Sequence, residues 1–136
     1  MKIESTNEVT TDLEQLWHAA LKRMESHRGG PELLSTIRGD VATEDLLEAL
    51  VDEGAVWTIG NEEHLAGFAV VRDGVVEGLF VTPNSRRQHV ATSLLNALVA
   101  SMDPPRDGFA LPGDRGMKSL YESFGWKARL LTMRGE

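Results

Sequence analysis

Two apolar runs joined by a two-residue turn constrain this chain more than any other feature. HLAGFAVVR (residues 64–72) and VVEGLFV (residues 75–81) are rich in β-branched and aromatic residues, and Asp73-Gly74 between them is a strong hairpin signal. Ala55 to Gly60 is also β-rich, and the turn Asn61-Glu62-Glu63 separates it from the hairpin. Three consecutive strands with short turns make an antiparallel meander. The last of them ends at Thr82-Pro83, turns at Asn84 and Ser85, and runs into the amphipathic segment RRQHVATSLLNALVAS.

That strand–turn–helix junction is the first place where the sequence points to a ligand. Ser85 and Gln88 have the S-x-x-Q spacing of a capping box, which predicts a helix from Arg86 to about Ser101. Val90, Leu94, Leu98 and Met102 mark its buried stripe. The first turn of a helix leaves backbone N–H groups unpaired at the positive end of its dipole. Arg86, Arg87 and His89 add cationic side chains there, where a plain surface helix favours acids. The alternative is solvated surface charge, but the combination reads better as a site for a phosphate-bearing ligand.

The remaining elements follow from periodicity and punctuation. Met1 to Glu4 is a short first strand, and Asp12 to Ser26 is a helix opened by a Thr11/Glu14 capping box and stopped by His27-Arg28-Gly29-Gly30-Pro31. Glu32 to Gly39 has the pattern of a helical turn. Thr43 to Glu53 is a helix with Leu46, Leu47, Leu50 and Val51 on one face and Gly54 at its C-terminal cap. Beyond Asp103-Pro104-Pro105 come a short strand, Gly108 to Leu111, and a helix capped by Asp114, with Met117, Leu120, Tyr121 and Phe124 on one face. Gly125 ends that helix, and Trp126 to Met133 reads as a last strand. No repeat or linker divides the chain, so residues 1–136 form one domain of mixed α/β (α+β) type.

Composition narrows the chemistry. The formal net charge is −7, which argues against a nucleic-acid partner and leaves the Arg86-Arg87 pair as a local basic spot. The acidic remainder favours an approaching cationic, amine-bearing substrate. There are no cysteines, so thiolate metal sites and cysteine nucleophiles are excluded. No apolar run reaches the ~20 residues of a membrane span, and the opening residues have no apolar signal-peptide core, so a cytoplasmic location is expected. His18, His27, His64 and His89 are scattered without a ligand spacing, so no metal site is expected. Nucleotide-binding glycine motifs and a G-x-S-x-G elbow are absent.

Two further residues carry candidate chemistry. Glu77 interrupts an apolar strand, and alternation places it on the face of Leu79 and Val81. It is either a general base or a solvent-facing edge residue. Tyr121, the only tyrosine, is either a half-buried aromatic or a proton donor at the mouth of a site.

The order of elements and two motifs resemble the GNAT superfamily of acyl-CoA-dependent N-acyltransferases. The family pattern V-x-P-x-x-[RQ]-x-x-G-x-[GA] with a following double leucine is matched by Val81, Pro83, Arg86, Ala91, Leu94 and Leu95. His89 stands at the glycine position. The second motif ends in LYESFGW, residues 120–126, with Asp114 at a usual asparagine and Met117 at a usual small residue.

The resemblance implies a GNAT fold: a mixed, mostly antiparallel sheet flanked by about four helices, splayed between its fourth and fifth strands, with a shortened C-terminal hairpin. It implies an N-acetyltransferase that uses acetyl-CoA as co-substrate. The backbone of Leu79, Phe80 and Val81 would pair with the pantetheine arm. Backbone N–H groups of Arg87, Gln88, His89, Val90, Ala91 and Thr92 would hold the pyrophosphate, with Arg86 beside them and Asp114 at the next helix start. Tyr121 would give a proton to the leaving thiolate, and Glu77 would relieve the amine of one. The rival expectation is a GNAT-fold CoA-binding or regulatory module that has lost catalysis. No motif encodes the acceptor or the oligomeric state, and a homodimer is compatible with the chain.

Overall fold

The computed structural model describes residues 1–61 and 63–135, without the side chains of Arg86, Arg87 and Gln88. The share of the expected turn that falls on Glu62, and the side-chain roles expected of Arg86, Arg87 and Gln88, lie outside the described residues. A five-stranded sheet runs in the order β1 (Lys2–Ser5), β2 (Val56–Gly60), β3 (Leu65–Arg72), β4 (Val75–Val81), β5 (Asp107–Gly108). The first four strands pair antiparallel, and β5 is parallel to β4. Asp73 and Gly74 make the β3–β4 turn with φ of 51° and 78°, the double left-handed geometry that an Asp-Gly pair accommodates.

Each sheet face buries its own core. On one side α1 (Thr11–Glu25), α2 (Gly30–Arg38) and α3 (Thr43–Asp52) pack Leu13, Trp17, Ile37, Leu46 and Leu50 against Val56, Phe68 and Val70. On the other, α4 (Val90–Ser101) and α5 (Arg115–Ser123) pack Val90, Leu94, Leu98, Met117 and Tyr121 against Ile59, Ala69, Val76 and Val81. Leu94, Leu95 and Leu98 are wholly enclosed, as the 3.6-residue stripe predicts. Thr10 caps α1 by accepting the Leu13 N–H at 3.1 Å, one residue ahead of the expected capping box. Asp12 then accepts the Leu65 N–H at 2.6 Å, tying the start of α1 to β3. Glu32 to Gly39, read as a helical turn, is most of a full helix with Gly39 as its cap, so among the described residues five α-helices flank the sheet.

Three expectations need correction. The helix expected at Arg86 begins at Val90. Pro83–Gln88 forms a 3-10 turn, and His89, at φ 57°, breaks the path between the two. The first residue of the stripe able to reach the core is Val90, and tertiary packing rather than the S-x-x-Q pattern sets where the α-helix starts.

Glu77 does not share a face with Leu79 and Val81. Val70 pairs with Gly78 but Val71 with Val76, so Glu77 is the extra residue of a β-bulge, which turns it toward α2 and α3.

The final strand is absent. Residues 127–135 are exposed coil, with Leu130 at 89% exposure, because β5 is two residues long and offers almost no ladder to a further strand.

Candidate active site: a cleft at the β4–β5 divergence

Parallel pairing between β4 and β5 covers only Val75 with Asp107 and Val76 with Gly108. The Phe109 N–H donates to the Val76 carbonyl at 2.9 Å, and β4 then continues to Val81 while the other chain turns away. A cleft of about 480 Å³ opens beside this divergence. Leu79, Phe80 and Val81 line it from β4, Ala91 and Thr92 from the start of α4, and Asp114 from the start of α5. Six of the residues singled out in the sequence for the co-substrate thus meet on one surface. Gly78 also lines it, and a Cβ placed there meets nothing within 4 Å, so the β4 backbone borders open space.

The Pro83–His89 turn leads from β4 into the start of α4, whose Ala91 and Thr92 line the cleft. His89 holds the left-handed conformation that favours glycine, and histidine is one of the residues that adopt it with less strain than most. Glycine is the ordinary residue for that backbone path. The N–H groups of Val90, Ala91 and Thr92 stand in the first turn of α4, where α-helix geometry supplies no acceptor; the Ser93 N–H donates to the His89 carbonyl at 3.0 Å. Asp114 accepts the Met117 N–H at 3.0 Å and so caps α5, as expected.

Tyr121 pins the vertex of the divergence. Its hydroxyl donates to the carbonyl of Phe109 at 3.1 Å and lies 3.4 Å from that of Val76, one on each departing chain. The ring is 7% exposed and stacks on Trp126 with centroids 5.1 Å apart and planes within 4°. A Cβ on Gly108 would sit 2.4 Å from Tyr121 Cζ, so glycine there makes room for the ring. Burial, with the charge of Asp114 second, raises the phenol well above its ordinary range and keeps it protonated. The side chain reaches the vertex without lining the cleft.

Glu77 lines the cleft but is held. Arg72 Nε donates to Oε1 and Arg72 Nη2 donates to Oε2 at 3.2 Å. The same guanidinium donates to the Ile37 carbonyl at 2.6 Å and to Glu53 at 3.3 Å. Hydrogen bonding to Glu77 raises the Arg72 pKa further, against the opposing effect of burial. Neither reading of Glu77 as an open base or a solvent-facing residue describes this buried pair.

Sequence reasoning missed His27, which it took only as the end of a helix. His27 lines the cleft, and its Nδ1 lies 2.7 Å from the Arg23 carbonyl. A carbonyl only accepts, so Nδ1 carries a proton, and in the neutral ring Nε2 is the nitrogen that holds the lone pair. The turn that follows packs over the far wall: Gly29, at φ 80°, lies beside Leu111 and Pro112. Among the described residues no cluster of His, Asp and Glu has the makings of a metal site.

Residues 28–131 match the family model of the acetyltransferase (GNAT) domain. No curated protein sequence matches the chain. The fold is similar to that of aminoglycoside N-acetyltransferase AAC(6')-Iy, solved in complex with CoA, at 17% identity and a TM-score of 0.54 over 99% of each chain. It is also similar to the aminoglycoside acetyltransferase meta-AAC0020 from an uncultured soil metagenomic sample, in complex with sisomicin. That match has 15% identity and a TM-score of 0.57, over 99% of this chain and 95% of that one. A probable acetyltransferase matches over 100% of both chains at 18% identity and a TM-score of 0.52. At these identities the likenesses speak to the fold. The family model, spanning the last four strands and every helix from α2 onward, shows that the chain belongs to the GNAT acetyltransferase family.

Proposed function

We propose that the chain transfers an acetyl group from acetyl-CoA to a primary amine by direct attack of the neutral amine on the thioester. The observation that carries this reading is the cleft beside the β4–β5 divergence, with a helix N-terminus at one end and a buried phenol at its vertex. The pantetheine arm lies along Leu79, Phe80 and Val81, beside the open backbone at Gly78. The pyrophosphate takes the N–H groups of His89 to Thr92, with Arg86, Arg87 and Gln88 at the turn before them. The residues present fit the group, because the left-handed His89 keeps the cradle's backbone path open.

Arg72 donates to both oxygens of Glu77, which makes that carboxylate an anchor rather than a free base. His27 Nε2 takes the proton that the attacking nitrogen loses. As the new C–N bond forms the C–S bond breaks, and the same proton passes from His27 through solvent to the departing thiolate, so bonds and protons balance. A phenol raised above ~10 does not hand its proton downhill to a thiolate of ordinary pKa ~8.5. Tyr121 therefore acts by hydrogen-bonding the thiolate as charge develops, in exchange for the Phe109 carbonyl.

Saturating acetyl-CoA raises the melting temperature and gives binding heat; absence of both sinks the reading. Tyr121→Phe lowers kcat with little change in acetyl-CoA affinity, and His27→Gln lowers kcat by about a hundredfold or more, the low end for general acid–base help. Unchanged turnover in either variant removes that residue from the mechanism.

A further inference from the structure

The acceptor side of the cleft carries hydrocarbon and little free charge. Trp17, Phe68 and Phe80 form a row of rings with centroids 5.9 and 6.0 Å apart, and all three line the cleft. Leu21, Met24 and Leu33 extend the same apolar wall from α1 and α2. The charged side chains lining the cleft, among the described residues, include two carboxylates, Glu77 and Asp114. Glu77 is held by Arg72 through both oxygens, and Asp114 caps α5 by accepting the Met117 N–H through Oδ1. Arg23 adds a positive charge to the rim and His27 a ring nitrogen.

A buried ammonium without a carboxylate partner is strongly disfavoured, so this wall selects against an acceptor with several amines. Size points the same way. About 480 Å³, in the lower half of the roughly 300–1,000 Å³ of small-molecule pockets, must hold the thioester arm as well as the acceptor.

We infer that the acceptor is a compact monoamine with an aliphatic or aromatic body lying against the Trp17–Phe68–Phe80 row, and not a polycation. This rests on the acetyltransferase reading above. It differs from the sisomicin bound in one structure of similar fold, and it overrides the attraction for cations that the net charge suggested.

The test is thiol release from acetyl-CoA with butylamine, hexylamine, 2-phenylethylamine, spermidine and kanamycin. Acetyl-CoA binding is measured separately by calorimetry. Hexylamine and 2-phenylethylamine are expected to exceed spermidine and kanamycin in kcat/KM by at least about tenfold. Lengthening the chain from butylamine to hexylamine raises kcat/KM by roughly fourfold per methylene. Leu21→Glu, which places a carboxylate on the half-buried wall, moves the preference toward spermidine. Equal or better turnover of the polycations, or no dependence on chain length, overturns the acceptor class and leaves the acetyltransferase reading intact. Acetyl-CoA binding with no turnover of any of these amines also overturns it. No binding of acetyl-CoA overturns the underlying reading instead, and hexylamine titrated alone then still reports whether the apolar wall takes an amine.

Discussion

Arg72 holds Glu77 by two points across the bulge that separates the part of β4 paired with β5 from the part that is not. The same guanidinium reaches the carbonyl of Ile37 at the end of α2 and the carboxylate of Glu53 just beyond α3. One side chain thus fixes a bulge and two helix ends around the acceptor wall.

Removing Arg72 strands a carboxylate that is 7% exposed. Arg72→Met should lower stability by about 2–3 kcal/mol, somewhat below the range for a wholly buried pair because the guanidinium keeps some contact with water. The double variant Arg72→Met/Glu77→Met should recover most of that loss, since two matched apolar groups replace two matched charges. Urea unfolding of both variants checks this. A double variant no more stable than the single one shows that the other two Arg72 contacts matter more than the pair.

Tyr121, the only tyrosine, gives the chain a private alkaline probe. Its phenol is raised by burial first and by Asp114 second. Between about pH 10 and the native value, the unfolded chain has released this proton and the native chain has kept it. The unfolded state then binds fewer protons, so stability falls as pH rises, by up to ~1.4 kcal/mol per pH unit. Below about pH 10 both states are protonated and this dependence vanishes. Tyrosinate absorbance in the near ultraviolet should appear together with the loss of circular dichroism. Appearance of tyrosinate in the folded protein near pH ~10 would contradict the burial.

His89→Gly relieves a left-handed residue and should stabilise the chain by up to about 1 kcal/mol, read as a higher urea midpoint at constant slope. Acetyl-CoA affinity should change by less than about tenfold, because histidine and glycine share the backbone path. A larger gain in affinity would favour the decayed-module expectation.

Gly78 borders the cleft with nothing within 4 Å of a Cβ position. Gly78→Val should leave the fold unharmed, or stabilise it by roughly 0.5 kcal/mol, while weakening acetyl-CoA by about tenfold or more. Calorimetry beside a melting curve separates the two effects; unchanged affinity would move the arm off β4.

What could be read in advance was whatever the chain writes locally. Asp73-Gly74 fixed a hairpin because few residue pairs tolerate two positive φ values, and Leu94 with Leu98 fixed a buried helix face by period alone. Asp114 announced its own cap. Position 77 was misread because strand alternation runs unbroken through VVEGLFV, while the bulge depends on Arg72, Ile37 and Glu53 arriving from elsewhere. The tail failed for the same reason: alternation at 126–133 is local, but a strand needs an edge. His27 lines the cleft only because the turn after it folds over Leu111 and Pro112.

The two-residue length of β5 has a thermodynamic consequence for the cleft beside it. Many binding grooves in sheets open by separating strands that were zipped together, and the ligand must replace every ladder bond it displaces. Here the last ladder bond between β4 and its neighbour is Phe109 N–H to the Val76 carbonyl, so an extended ligand arriving along Leu79 and Phe80 has no β4–β5 ladder to unzip. The main-chain bonds it forms along that stretch add to affinity without that offset. What the protein forgoes in sheet stability at rest, it keeps as a groove already shaped for a strand-like guest.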